Sequence, residues 1–269
     1  MNLTNPAELR ALLERHGFNP QKKWGQHFLI SSRVVDAIIG RLEGISGILE
    51  VGPGPGVLTS PASELAHLIA LEVDPIAVSA LSESAPKARV IHGDALELDI
   101  RPFLESLPTP RAVLSNMPYN ITGPLLDRFS RTSDLWKKAV LMMQREVGDR
   151  ILAPVGSSEF SSLSVSMQTR FEISKVCSVP PGAFFPPPKV ESIVLELTPR
   201  QHGLSDEFFA FVRTAFTQPR KTLANNLSSG GFSRERLAQV LGDLRLAESV
   251  RPHQIGLDQW QILWEALQH

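Results

Sequence analysis

Three groups of residues in this chain have types and spacings that suit chemistry. The first is Glu50-Val51-Gly52-Pro53-Gly54-Pro55-Gly56. Its glycines let the backbone turn sharply and let a ligand approach closely. The spacing is G-x-G-x-G, not the G-x-G-x-x-G of a dinucleotide site. A dinucleotide needs its pyrophosphate cradled at a helix N-terminus. A ligand without phosphates, such as S-adenosylmethionine, needs the close approach and no cradle. The second group is a pair of acids. Glu72 stands twenty positions after Gly52, where a carboxylate can accept both hydroxyls of a ribose. Asp94, in His92-Gly93-Asp94-Ala95, can accept from an adenine amino group. A glycine turn alone suits any tight connection, and either acid alone suits a helix cap. Together, at three successive strand ends, they describe a nucleoside site.

The third group is Ser115-Asn116-Met117-Pro118-Tyr119-Asn120. Tyr119 is the only tyrosine in a chain with 13 phenylalanines. The pattern suits an amino group conjugated to a ring, a poor nucleophile because its lone pair is delocalised. The Asn116 side-chain oxygen and the Pro118 carbonyl would hold the two amino hydrogens and turn the lone pair toward an electrophilic methyl group. Tyr119 would stack on the flat base, and Pro118 would fix the backbone between them. This is alignment with electrostatic stabilisation, without a strong general base. An asparagine-proline turn with a half-buried tyrosine is the plainer alternative.

The elements that must position these groups follow from the pattern. Short β-rich runs fall at 48–51, 68–73, 89–92, 112–115 and 139–143, and helix-compatible segments separate most of them. That alternation indicates an α/β fold with a parallel sheet covered on both faces. Residues 192–197 read as a final, antiparallel strand. A first helix is capped by Asn5, opens with Pro6, carries a capping box through Glu8 and ends at Gly17. A second spans 32–41. Asp74-Pro75 marks another helix start. Five prolines between Pro180 and Lys189 exclude helix and predict a stiff extended loop. Beyond residue 200 the apolar periodicity is helical, with Phe208, Phe209, Val212 and Phe216 on one face. Trp260 and Trp264 read as core, and the serines at 157–162 as a loop with no nucleophile elbow.

Composition narrows the class. Hydrophobic residues make up 42% and charged residues 20%, as in a globular domain. A net charge of −1 excludes nucleic-acid binding by bulk charge but leaves room for a local basic patch. With one cysteine, Cys177, the chain forms no internal disulfide, and a reducing, cytoplasmic setting is expected. No long apolar run and no signal-peptide pattern predict a protein outside the membrane. The seven histidines lack zinc-like spacing, so no metal is assigned.

Beyond these readings, the sequence resembles the SAM-dependent rRNA adenine dimethyltransferases of the KsgA type. The resemblance runs through Lys23–Leu29, Glu50–Gly56, Glu72, Gly93–Ala95, Asn116–Tyr119, Gln144–Val147, Pro181–Val190 and Arg220–Leu227. It implies a class I methyltransferase fold, Rossmann-like with a mostly parallel seven-stranded sheet, over 1–199 with an N-terminal helical extension. It implies a small all-helical RNA-recognition domain over 200–269. The implied reaction transfers methyl groups from SAM to N6 of two adjacent adenines near the 3′ end of small-subunit rRNA, during ribosome biogenesis. A monomer acting on a pre-30S-like particle is expected. By family position SAM contacts come from Gln26, His27, Leu29, Gly52, Gly54, Gly56, Glu72, Asp94, Ala95 and Asn116. The acceptor site comprises Asn116, Pro118 and Tyr119, with Phe184 as a second aromatic wall. Lys22, Lys23, Arg220 and Lys221 are the candidate phosphate contacts.

The chain departs from the family pattern at several places. His27 replaces an asparagine, Met117 a leucine, Phe160 a tyrosine and Pro219 an arginine, and the Phe160–Val165 segment lacks the family's arginine. The competing readings are a large-subunit rRNA adenine methyltransferase of the macrolide-resistance type and a non-catalytic ribosome-assembly factor. A nicotinamide oxidoreductase fits least, because the third glycine is misplaced.

Overall fold

The structure is a computed structural model and describes residues 1–17, 27–201 and 203–268. The chain forms two compact units, Met1–Gly148 with Ile173–Pro199, and Asp149–Glu172 with Arg200–His269. In chain order the elements are α1 (Pro6–Arg15), β1 (Phe28–Leu29), α2 (Ser32–Ile39), β2 (Gly47–Val51), α3 (Thr59–Leu65), β3 (His67–Glu72), α4 (Pro75–Ser84), β4 (Arg89–His92) and α5 (Arg101–Ser106). They continue with β5 (Arg111–Asn116), α6 (Thr122–Arg131), β6 (Lys138–Gln144), α7 (Arg145–Leu152), α8 (Ser162–Arg170), β7 (Phe171–Val179), β8 (Phe184–Phe185) and β9 (Ser192–Pro199). Four helices follow: α9 (Asp206–Ala215), α10 (Leu223–Ser229), α11 (Arg234–Asp243) and α12 (Leu257–Gln268).

The first unit is built on a seven-stranded sheet in the order β4-β3-β2-β5-β6-β9-β7. β4, β3, β2, β5 and β6 pair parallel, and β9 runs antiparallel to β6. Every residue of β2 is buried, as expected of a central parallel strand covered on both faces. The pairing of Glu72 with His92 and of Asn116 with Met142 brings the carboxyl ends of β2, β3, β4 and β5 to one edge. Open α/β sheets bind ligands at that edge.

The five parallel strands and the antiparallel β9 lie where periodicity predicts them, within a residue or two. β7 escaped that reading. It is an edge strand, and its apolar residues change phase between Ile173 and Val176, so neither face reads as buried. In α1 the Asn5 side chain accepts the Ala7 N–H at 2.9 Å, as expected. Glu8 does not close a capping box on Asn5, because its carboxylate accepts the Asn2 N–H at 2.7 Å instead. α2 stops at Ile39, and a 3₁₀ turn over Gly40–Leu42 takes up the rest of the expected helix. The Asp74 side chain caps α4 by accepting the Ile76 N–H at 2.9 Å. The proline-rich segment is not uniformly extended. It makes a 3₁₀ turn at Pro181–Ala183, where Pro181 needs no N–H partner, before β8 pairs with β1.

The second unit is helical. Trp260 is fully buried and packs near Phe211 and Phe216, with ring centroids 6.0 and 5.6 Å away. Trp264, half-buried, packs against the same cluster with its ring 5.2 Å from Phe211. The expected boundary at 199/200 is incomplete. Ala153, Phe160 and Val165 are buried in the same apolar cluster as Phe208, Leu223 and Trp260, so Asp149–Glu172 belongs to the helical unit too. Ser161 and Ser164 form a capping box that starts α8, a use for the serine-rich stretch that composition did not reveal.

Candidate active site

A cleft opens at the carboxyl ends of β2, β3, β4 and β5, within the first unit. His27, Leu29, Gly52, Gly54, Glu72, Asp94, Ala95, Asn116, Pro118 and Tyr119, all picked out from sequence, line it. Gly56 does not. Its φ is +95°, and a Cβ there would meet the Ser84 hydroxyl at 2.6 Å, so this glycine serves the packing of the loop on α4. Gln26, Lys22 and Lys23 lie outside the described residues.

The glycine loop itself discriminates between ligands. The Gly52 N–H donates to the Leu71 carbonyl at 3.0 Å and the Gly56 N–H to the Pro53 carbonyl at 3.1 Å. The Gly54 N–H donates to Glu72 Oε2 at 2.9 Å. Pro53 and Pro55 have no N–H to give. Every amide from residue 52 to 56 is therefore engaged or missing, and a pyrophosphate would find no main-chain donors in this loop. No lysine or arginine lines the cleft among the described residues, whereas Glu50, Glu72 and Asp94 do. Such an acceptor-rich lining suits a phosphate-free nucleoside. Gly54, at φ +56°, holds the loop against Phe28; a Cβ there would sit 3.0 Å from the Phe28 ring.

The acids differ in their surroundings. Glu72 is buried, with Oε1 accepting the Asp74 N–H and Oε2 the Gly54 N–H, each at 2.9 Å. Burial pushes its carboxyl above the ordinary range, backbone N–H bonds from Asp74, Gly54 and Val73 oppose the shift, and the Asp74 carboxylate adds to it. About four acceptor sites belong to a carboxylate, so its backbone donors leave room for a ligand. Asp94 Oδ1 accepts the Leu96 N–H at 2.8 Å, which fixes its turn. Glu50 is the acid that sequence reasoning left without a role. It is 1% exposed, its Oε2 has no hydrogen-bond partner among the described residues, and burial pushes its carboxyl up to about 8. The Thr59 hydroxyl opposes that rise and Glu72 reinforces it. Its position just before the first glycine was the available signal.

On the acceptor side, Asn116 Nδ2 donates to the His27 carbonyl at 3.2 Å. A carbonyl only accepts, so the amide orientation is fixed and Oδ1 remains as the acceptor. The Tyr119 hydroxyl is hydrogen-bonded to Ser192 at 2.7 Å, and the ring stacks on His27 with centroids 5.7 Å apart at 27°. Burial raises the Tyr119 hydroxyl and the Ser192 bond opposes this, so the phenol stays protonated. The Pro118 carbonyl accepts the Ile121 N–H at 3.1 Å, and the Thr122 hydroxyl competes for it at 3.3 Å. It is thus a poorer second acceptor than the sequence suggests. Phe184 departs from its expected role. It is 2% exposed, pairs with Leu29 in the β1–β8 ribbon and belongs to the apolar core, not to the cleft lining. Its ring is consumed by packing, and the ring that faces Tyr119 is His27. Ser192 gave no signal in the sequence, and Pro186 only as one of the loop prolines, because their roles here exist only as partners.

Arg220 and Lys221 lie in the second unit, exposed in the loop between α9 and α10. Buried Asn226 pins that loop by accepting the Gln218 N–H at 2.9 Å and donating to the Gln218 carbonyl at 3.0 Å. Among the described residues no helix is long and apolar enough to cross a membrane, and no three His, Cys, Asp or Glu side chains cluster as metal ligands.

Comparisons with known proteins agree with this geometry. A family model described as "Ribosomal RNA adenine dimethylase" matches residues 17–258. "Ribosomal RNA small subunit methyltransferase A" of Geobacter metallireducens is 37% identical over 267 residues, covering 93% of this chain and 96% of that protein. The protein of the same name from Picosynechococcus sp. is 35% identical over 266 residues, covering 92% and 97%. The crystal structure of a dimethyladenosine transferase from Plasmodium falciparum has a TM-score of 0.73 at 27% identity, covering 88% of this chain and 96% of that one. The structure of the 23S rRNA methyltransferase ErmE has a TM-score of 0.65 at 24% identity, covering 90% and 100%, a likeness of fold alone. The class I methyltransferase architecture, the acid-lined cleft and these matches agree: the chain belongs to the ribosomal RNA adenine dimethylase family, whose methyl donor is S-adenosylmethionine.

Proposed function

We propose that the chain dimethylates N6 of two adjacent adenines near the 3′ end of small-subunit rRNA, acting as a monomer on a pre-30S-like particle. The observation that carries this reading is the junction of two features in one cleft. An acid-lined loop without phosphate-binding amides meets Asn116–Tyr119 at the end of β5. The names of the bacterial relatives support the small subunit over the large.

S-adenosylmethionine, when bound, supplies a methyl group made electrophilic by its cationic sulfur. Glu72 holds the ribose with the acceptor sites that Gly54 and Asp74 leave over, and Asp94 accepts from the adenine amino group. Gly52, Gly54, Leu29, Ala95 and the main chain of His27 shape the rest of the nucleoside site. Asn116 Oδ1 holds one hydrogen of the target amino group and aims its lone pair at the methyl carbon. Tyr119 stacks on the target base, which must leave its own stack at a cost of a few kcal/mol. Backbone contacts offset that cost. In a chain of net charge −1 they must come from local clusters such as Arg220 and Lys221.

The test is methyl transfer from labelled SAM to small ribosomal subunits lacking the modification, with large subunits in parallel and products read by mass spectrometry. N6,N6-dimethyladenosine at two neighbouring small-subunit positions is expected. Label confined to large-subunit RNA would move the protein to the macrolide-resistance type. SAM binding without transfer to either subunit would favour an assembly factor.

A further inference from the structure

We propose that His27 is a positioning residue that locks the acceptor segment in its transfer geometry, a role resting on the methyl-transfer reading above. Three contacts from this one residue converge on the site. Its carbonyl receives Asn116 Nδ2 at 3.2 Å. Its ring stacks on Tyr119, 5.7 Å between centroids. Its Nδ1 lies 2.8 Å from the Pro186 carbonyl.

Each contact has a consequence. The first orients the Asn116 amide, since flipping it would set two oxygens against each other. The second covers one face of Tyr119 and leaves the other for the base. The tyrosine hydroxyl, held by Ser192, stops the ring from rotating out of that plane. The third fixes the imidazole. A carbonyl only accepts, so Nδ1 carries the hydrogen and the neutral ring is held as one tautomer. The anchor for this bond is itself anchored. Pro186 follows β8, whose residues Phe184 and Phe185 pair with Leu29 and Phe28, directly after His27. The Ile30 N–H adds a bond to the Ala183 carbonyl at 2.7 Å. The proline-rich segment thus acts on the acceptor through His27, while Phe184 stays in the core. An asparagine at position 27 would keep the carbonyl contact, which is main chain, but has no ring to place on Tyr119.

The experiment compares the full-length protein with His27→Ala, His27→Asn and His27→Phe. Measured quantities are kcat and KM for methyl transfer to small subunits, SAM affinity by calorimetry, and melting temperature. Ring stacking of this kind is worth about 0.5–1.5 kcal/mol, so a roughly three- to tenfold loss is expected. His27→Ala and His27→Asn, which keep the main chain at the SAM site, should lose kcat to that extent with SAM affinity unchanged, and His27→Phe, which keeps a ring, should recover most of it. A long-range ¹H–¹⁵N spectrum, with His27 assigned by its loss in His27→Asn, should show the Nδ1–H tautomer. The proposal is overturned if His27→Ala keeps wild-type kcat, if kcat and SAM affinity fall together, or if the ring is the Nε2–H tautomer. Should the wild-type protein methylate neither subunit, the functional reading fails, and the tautomer, which needs no substrate, still decides whether the imidazole is held.

Discussion

The two sides of the cleft are held by different kinds of bond. On the SAM side the glycine loop is fixed by its own neighbours, through main-chain bonds to Leu71 and Pro53 and the carboxylate of Glu72. All of these lie within 25 residues of each other. On the acceptor side Asn116 and Tyr119 depend on His27 and Ser192, 73 to 92 positions away, and His27 in turn on Pro186. The SAM side is therefore a local construction that follows from strand, turn and strand end. The acceptor side is assembled only when the fold closes, so its geometry rests on distant groups, main chain and side chain, that take no part in the chemistry.

If that contrast holds, changes on the SAM side should alter stability and cosubstrate affinity, and changes on the acceptor side should alter turnover. The largest effect is expected at Glu50. A carboxyl whose folded pKa lies near 8 holds a proton that the unfolded chain has already lost above about pH 4.5. The native protein should thus lose stability as pH rises from about 4.5 to 8, by roughly 3–5 kcal/mol. Glu50→Gln cannot ionise and should abolish this loss, so melting curves of both proteins across that window should diverge; parallel curves would contradict a buried acid. Next comes Asn116→Ala. Removing an aligned polar group from a transition state costs about 10²–10³-fold in kcat. SAM affinity should change little, and turnover within a few-fold of wild type would remove Asn116 from the alignment.

Glu72→Gln should act on affinity. The glutamine must turn its NH₂ toward either the Gly54 or the Asp74 N–H, and it loses the charge that holds the ribose. At about 1.5–3 kcal/mol for a charged hydrogen bond, SAM binding should weaken by roughly 10- to 100-fold in calorimetry. The smallest effect is expected at Phe184. Because the side chain sits in the core, Phe184→Leu should change kcat by about twofold at most while costing about 1 kcal/mol of stability. A large loss of turnover with an unchanged melting curve would restore Phe184 to the base-stacking role that the resemblance assigns it.

How much of this was legible beforehand follows the same division. Periodicity located six sheet strands, because each central strand is an apolar run bounded by turn residues. It missed β7, whose apolar residues change face partway along an exposed edge. It separated a helical region from the sheet but not its full extent. The contribution of Asp149–Glu172 depends on Phe160 and Val165 meeting residues more than 40 positions later. Ten of the residues picked out for the site line the cleft, because strand ends in a parallel sheet converge whatever the loops do.

What the sequence determined by itself is the set of groups that periodicity and local chemistry specify: the parallel sheet, the glycine turn, the two acids at strand ends and the Asn-x-Pro-Tyr segment. These are short-range properties, written within a few residues of one another. What only the tertiary structure decided is which atoms remain available. It engaged the amides of the glycine loop, left a Glu50 oxygen without a partner among the described residues, placed Phe184 in the core and set His27 against Tyr119. A hydrogen bond or a stacked ring needs two partners at about 3 to 6 Å, and sequence separation carries no information about that distance.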